Sequence, residues 1–112
     1  MSFTGKEGAP ITVEEAQAMI SRYRTKYATK EGSDEPSNTI WAFSGREIIE
    51  KILAQEGCVG IRFYFAERDG YQDIVMVGVD KDENDQVKGV IADRVRHCPP
   101  KCGSTSGTML IE

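Results

Sequence analysis

The chain has 112 residues, 39% hydrophobic and 29% charged, with 18 acidic groups against 14 basic ones and a net charge of -4. That is one compact α+β domain's worth of chain, 1-112, and too little for two cores. Each half, 1–57 and 58–112, carries 7 basic and 9 acidic groups. An acidic chain without a basic face is a poor phosphate-backbone binder, so no nucleic acid partner is expected. No apolar run reaches the ~18–20 residues of a membrane span, so no membrane association is expected. The opening MSFTGKEGAP lacks the basic and apolar regions of a secretory signal, and the expected address is cytoplasmic.

Residues 1–10 are Gly-rich and polar and are expected to fray. Thr12-Val13-Glu14-Glu15 has capping-box spacing, and Val13, Ala16, Ile20, Tyr23 and Tyr27 follow on one helical stripe. A first helix is predicted from about Val13 to Ala28, with acids early and bases late, as the helix dipole favours. KEGSDEPSN (30–38) is a loop. A second capping box is predicted at Ser44 and Glu47, with Phe43 placed to staple against Ile48. Ile48, Ile49, Ile52 and Leu53 make the buried stripe of a second helix, about Gly45–Glu56.

The period then changes from 3.6 to 2. Cys58–Glu67 alternates Val59, Ile61, Phe63 and Phe65 with Cys58, Gly60, Arg62 and Tyr64. Asp69-Gly70 is a two-residue hairpin signal, and Gln72–Asp80 is a second strand, apolar on both faces and therefore central. Val87–Val95 is predicted as a third strand, and Thr108–Ile111 as a short fourth. The expected fold is α+β, with two N-terminal helices packed on a three- to four-stranded antiparallel meander. The Val59, Ile61, Phe63 and Phe65 face is expected to meet both helices.

Candidate chemistry is sparse. Asp80, Asp82 and Asn84 have the oxygen spacing of a calcium loop, but Asp85 stands where its glycine should be and Ile91 where its glutamate should be. An acidic turn is the better reading. Arg96-His97-Cys98-Pro99-Pro100-Lys101-Cys102-Gly103 brings two thiols and the one histidine together, and Cys58 could complete a Cys₃His zinc set. The C-x3-C spacing and the two prolines fit such a site poorly, so packing thiols, a zinc site and a reactive thiol all stay open. Arg62 with Tyr64 is a second candidate. Its two readings are a face holding a carboxylate or phosphate and an arginine paired to a cross-strand aspartate. No catalytic residue is assigned, because no nucleophile, phosphate-loop, dinucleotide or metalloprotease motif is present.

Gly60-Ile61-Arg62-Phe63-Tyr64, Val77-Gly78-Val79-Asp80, Asn84-Asp85 and Cys98-Pro99-Pro100-Lys101-Cys102-Gly103 resemble a family of small uncharacterised bacterial proteins. That family carries a Gly-Ile-Arg-x-Tyr strand and a terminal Cys-Pro-Pro-x-Cys-Gly. The resemblance spans Trp41 to Gly103 and implies no activity. The function expected is a non-enzymatic binding or protein-interaction module without a cofactor. Its partner would be another protein or a second copy, met through a sheet edge or the Arg62/Tyr64 face. The alternative is a thiol- or zinc-dependent protein using Cys98 and Cys102.

Overall fold

The computed structural model describes residues 2–27, 41–93, 95–98 and 110. These residues form an α+β arrangement of two helices, a three-stranded antiparallel sheet and a separate two-stranded ladder. Helix α1 runs Val13–Tyr27 and begins where its cap signal lies. The Glu15 N–H donates to Thr12 Oγ1 at 3.1 Å, and the Thr12 hydroxyl donates in turn to Glu15 Oε1 at 3.1 Å. The cap's second bond is thus made side chain to side chain rather than to the Thr12 backbone.

Helix α2, Arg46–Leu53, is shorter than its sequence suggests, and the capping box expected at Ser44 is not formed. Gly45 is the N-cap, in extended geometry at φ -69° and ψ 154°, with no side-chain cap bond. This sets Ser44 one residue too early to reach the first turn, and its hydroxyl is buried without a hydrogen-bond partner. Phe43 stays 62% exposed instead of closing a staple onto Ile48.

Strand β1, Trp41–Phe43, pairs antiparallel with β5, Arg96–Cys98, setting Trp41 opposite Cys98 and Ala42 opposite His97. Neither strand was expected. The main sheet holds β2 (Gly60–Arg68), β3 (Tyr71–Val79) and β4 (Ile91–Ala92) in that order. The β2–β3 hairpin closes at Asp69 and Gly70, both at positive φ (53° and 82°), which is why this pair of residue types turns the chain there. The strand expected over Val87–Val95 is confined to two residues, since Gln86–Gly89 forms a turn closed by the Gly89 N–H on the Gln86 carbonyl.

Register assigns the sheet faces. Phe63 lies opposite Met76, and Met76 opposite Ala92, so Ile61, Phe63, Phe65, Ile74, Met76 and Ala92 share one face. Helix α2 lies on that face: Ile52, Met76 and Ala92 form the buried cluster, with Ile48, Cys58, Ile61, Ile74, Val90 and Val95 packed around it. Of the residues expected to meet both helices, Ile61 packs against the cluster that α2 contributes to. Phe63 and Phe65 do not, remaining 58% and 77% exposed. An eight-residue helix spans ~12 Å, too little to cover both the centre and the edge of the sheet. Among the described side chains none from α1 belongs to the buried cluster, and its Val13 and Met19 are exposed.

Candidate functional site

The thiols are distributed as follows. Cys102 lies outside the described residues, and His97 and Cys98 are placed by backbone alone, in β5. Cys58 is a free, half-buried thiol at the edge of the core, its S–H donating to the Gly60 carbonyl at 3.2 Å. That is the environment of a small packing residue. Among the described residues no group of three or more His, Cys, Asp or Glu side chains converges on a point that could hold a metal.

Arg62 and Tyr64 project on the face opposite α2 and converge on one acceptor that the sequence did not single out. Asp85 takes the Arg62 Nη1–H on Oδ1 at 2.7 Å and the Tyr64 hydroxyl on Oδ2 at 2.5 Å. Arg62 Nη2 also donates to the Glu83 carbonyl at 3.4 Å, and its guanidinium stands 5.4 Å from the centre of the Phe3 ring. Asp85 arrives there because the acidic turn is tightly wound. Asp80 Oδ1 accepts the N–H groups of Asp82 and Asn84 at 2.9 and 3.0 Å, and Val79 bridges to Asp85. The carboxylate that Arg62 suits is therefore supplied by this chain, from the turn after β3 rather than from a facing strand. Asp80 spends that oxygen on the turn's own backbone, as a structural Asx turn does.

A second arginine on the same face, Arg68, is matched likewise. It donates to Asp73 at 3.4 Å and to Asp93. Its guanidinium is held above its ordinary range, first by the bond to Asp93 and less by Asp73. Asp73 is 3% exposed, and its other oxygen accepts the Ile74 N–H at 2.8 Å. Both arginines are thus neutralised within the chain.

Between α2 and the 85–90 turn lies a cleft of about 460 Å³ lined by Gln55, Glu56, Asp85, Gln86, Val87, Lys88 and Gly89. Two amides clasp its floor. Gln55 Nε2 donates to the Ile52 carbonyl at 2.9 Å and to Gln86 Oε1 at 3.3 Å, while Gln55 Oε1 accepts the Val90 N–H at 2.7 Å. Gln86 Nε2 donates to the Glu56 carbonyl at 2.9 Å. A Cβ on Gly89 would overlap Gln55 Oε1, and one on Gly78 would come within 2.9 Å of Gln55 Nε2 and 3.1 Å of Cys58 Sγ. The clasp is a structural joint: Gln55 is satisfied by the chain at both ends of its amide.

The unsatisfied surface is elsewhere. Strand β2, nine residues long, is the outer strand of its sheet and among the described residues pairs only with β3. None of the loop and turn backbone hydrogen bonds of the described residues involves 60–68. On this edge Phe63 and Phe65 stand two residues apart on the α2 side, with Tyr64, 45% exposed, between them on the other. The stretch Phe63-Tyr64-Phe65-Ala66 carries no charge and no proline, the usual guards of an exposed edge. In the sequence the same alternation reads as a core face, and only strand order distinguishes the two.

No family model matches this chain, and neither a curated protein nor a solved structure matches it.

Proposed function

We propose that the chain is a non-enzymatic protein-interaction module whose working surface is the outer edge of β2 with its two phenylalanines. The observation that carries this reading is the exposure of Phe63 and Phe65, 58% and 77%, on a strand whose outer backbone edge is unpaired among the described residues. Fully burying a phenylalanine is worth ~1.5–3 kcal/mol, so leaving two in water forgoes stability that α2 or a neighbouring strand would otherwise provide. An open edge adds unpaired N–H and C=O groups, which a second polypeptide can satisfy by adding a strand. The two functions combine naturally: main-chain bonds give affinity, and the aromatic pair gives register and selectivity.

The neighbouring polar features support a binding role over a catalytic one. Arg62, Tyr64 and Asp85 satisfy one another, and Arg68, Asp73 and Asp93 do the same. Such closed sets hold a sheet rigid under its binding edge. Incorporating a benzoylphenylalanine photo-crosslinker at position 65 in cells tests the reading, with the exposed position 51 on α2 as control. Crosslinks from 65 to protein, absent from 51, are expected. Absence of any crosslink from 65 overturns the assignment of this edge.

A further inference from the structure

We infer that the partner taken by the β2 edge is a second copy of this chain, joined antiparallel so that two three-stranded sheets become one of six strands. This inference rests on the reading of β2 as the interaction surface and adds the identity of its occupant. The strand is self-complementary about its own midpoint. It runs Gly60–Arg68, so its central residue is Tyr64. In an antiparallel pair related by a two-fold axis, full overlap of the nine residues sets Tyr64 opposite Tyr64 of the second copy. Phe63 then falls opposite Phe65 of the second copy, twice over, on the α2 side. Four phenylalanines meet between two α2 helices.

Charge selects the same alignment. Around Tyr64, Arg62 faces Ala66 of the second copy, Glu67 faces Ile61 and Arg68 faces Gly60, so no like charges stand opposite one another. Shifting the axis to Phe65 sets Arg62 against Arg68 of the second copy; shifting it to Phe63 shortens the overlap and sets Phe65 against Ile61 instead of Phe63. The charged face adds little repulsion, since Arg62 is paired with Asp85 and Arg68 with Asp73 and Asp93 in each copy. The area argues in the same direction. At ~150–250 Å² per phenylalanine, exposures of 58% and 77% leave on the order of 500 Å² of aromatic surface to be removed from water in the dimer. The flanking side chains and backbone of two nine-residue strands raise the total towards the ~1,200 Å² at the low end of specific interfaces. Interfaces at that low end are typically weak and transient, and a micromolar dissociation constant is expected.

Sedimentation equilibrium of the full chain, from ~1 to ~500 μM, reads the inference directly, because a micromolar dissociation constant falls inside that range. The mass should rise from 12.4 kDa towards twice that value. A variant with both Phe63→Lys and Phe65→Lys should remain monomeric, since each lysine then faces a lysine of the second copy. A variant with Phe63→Lys and Phe65→Glu should associate at lower concentration than the double-lysine variant, each lysine now facing a glutamate, and more weakly than the parent. Both positions are exposed, so circular dichroism of the variants should match the parent and separates lost pairing from lost folding. A parent chain that stays monomeric overturns the second copy as occupant. If position 65 nevertheless crosslinks to a different protein, the interaction reading stands with another partner; if it crosslinks to nothing, both fall. A double-lysine variant that dimerises as the parent does, or one that associates as readily as the lysine–glutamate variant, overturns the Tyr64-centred interface.

Discussion

Phe63 and Met76 are direct partners across the β2–β3 ladder and point to the same side of the sheet, yet Met76 is 1% exposed and Phe63 58%. Their chemistry does not explain the difference, for both are large and apolar. Position does. Met76 sits on the central strand, with Ala92 of β4 on one side and Ile52 of α2 in the same buried cluster. Phe63 sits on the outer strand, beyond the reach of a two-turn helix. Apolar alternation reports that a face wants to leave water; strand order decides whether the chain itself can oblige.

Several substitutions would sharpen that contrast. Met76→Ala should cost ~2–5 kcal/mol of unfolding free energy in urea titration, by emptying a site that β4 and α2 enclose. Phe63→Ala, one strand away, should cost under ~0.5 kcal/mol at concentrations where the chain is monomeric. Equal losses at the two positions would remove the distinction between core and edge. Asp73→Ala comes next, at about 1–3 kcal/mol, since it strands the Ile74 N–H and frees one partner of Arg68.

Gly89→Ala should cost ~1–2 kcal/mol by displacing Gln55 from the Val90 N–H. In a Gln55→Ala background the same change should be nearly neutral, and additive losses would show that the clasp does not dictate the glycine. The smallest effect lies in the N-terminal turn. Glu7 accepts the N–H groups of Thr4 and Gly5, both at 2.9 Å, and backbone bonds, from Thr4 first, then from its own N–H and least from Gly5, hold its carboxyl below the ordinary 4.5. A depressed folded-state value means the turn is favoured above that ordinary value and lost as pH falls through the lowered one. The Thr4 and Gly5 amide resonances should therefore shift with an acid midpoint below 4.5. A midpoint at or above it would deny the bonds.

Features written in local chemistry were legible beforehand. Thr12 and Glu15 announce α1, Asp69-Gly70 the hairpin, and Asp80 with its neighbours the acidic turn, because each is decided within a few residues. The spacing of Ser44 and Glu47 does not reveal that Gly45 takes the extended N-cap position. Non-local partners were not legible. Nothing in the spacing of Arg62 and Asp85, 23 residues apart, shows that the turn carries the carboxylate back over β2. The short β1–β5 ladder, and the division of the expected third strand into β4 and a turn, depend on what each segment meets. The aromatic edge was the most informative error, since residues assigned to the core proved to be the surface.

Hydrogen exchange along the sheet, followed at high and low protein concentration, tests the account most directly. The outward amides of 60–68 should be protected in concentrated solution and exchange rapidly on dilution, while the amides of β3 around Met76 stay protected at both. Exchange along β2 that ignores concentration, or loss of protection in β3 together with β2, would contradict an edge that stands open in one copy and is closed by another.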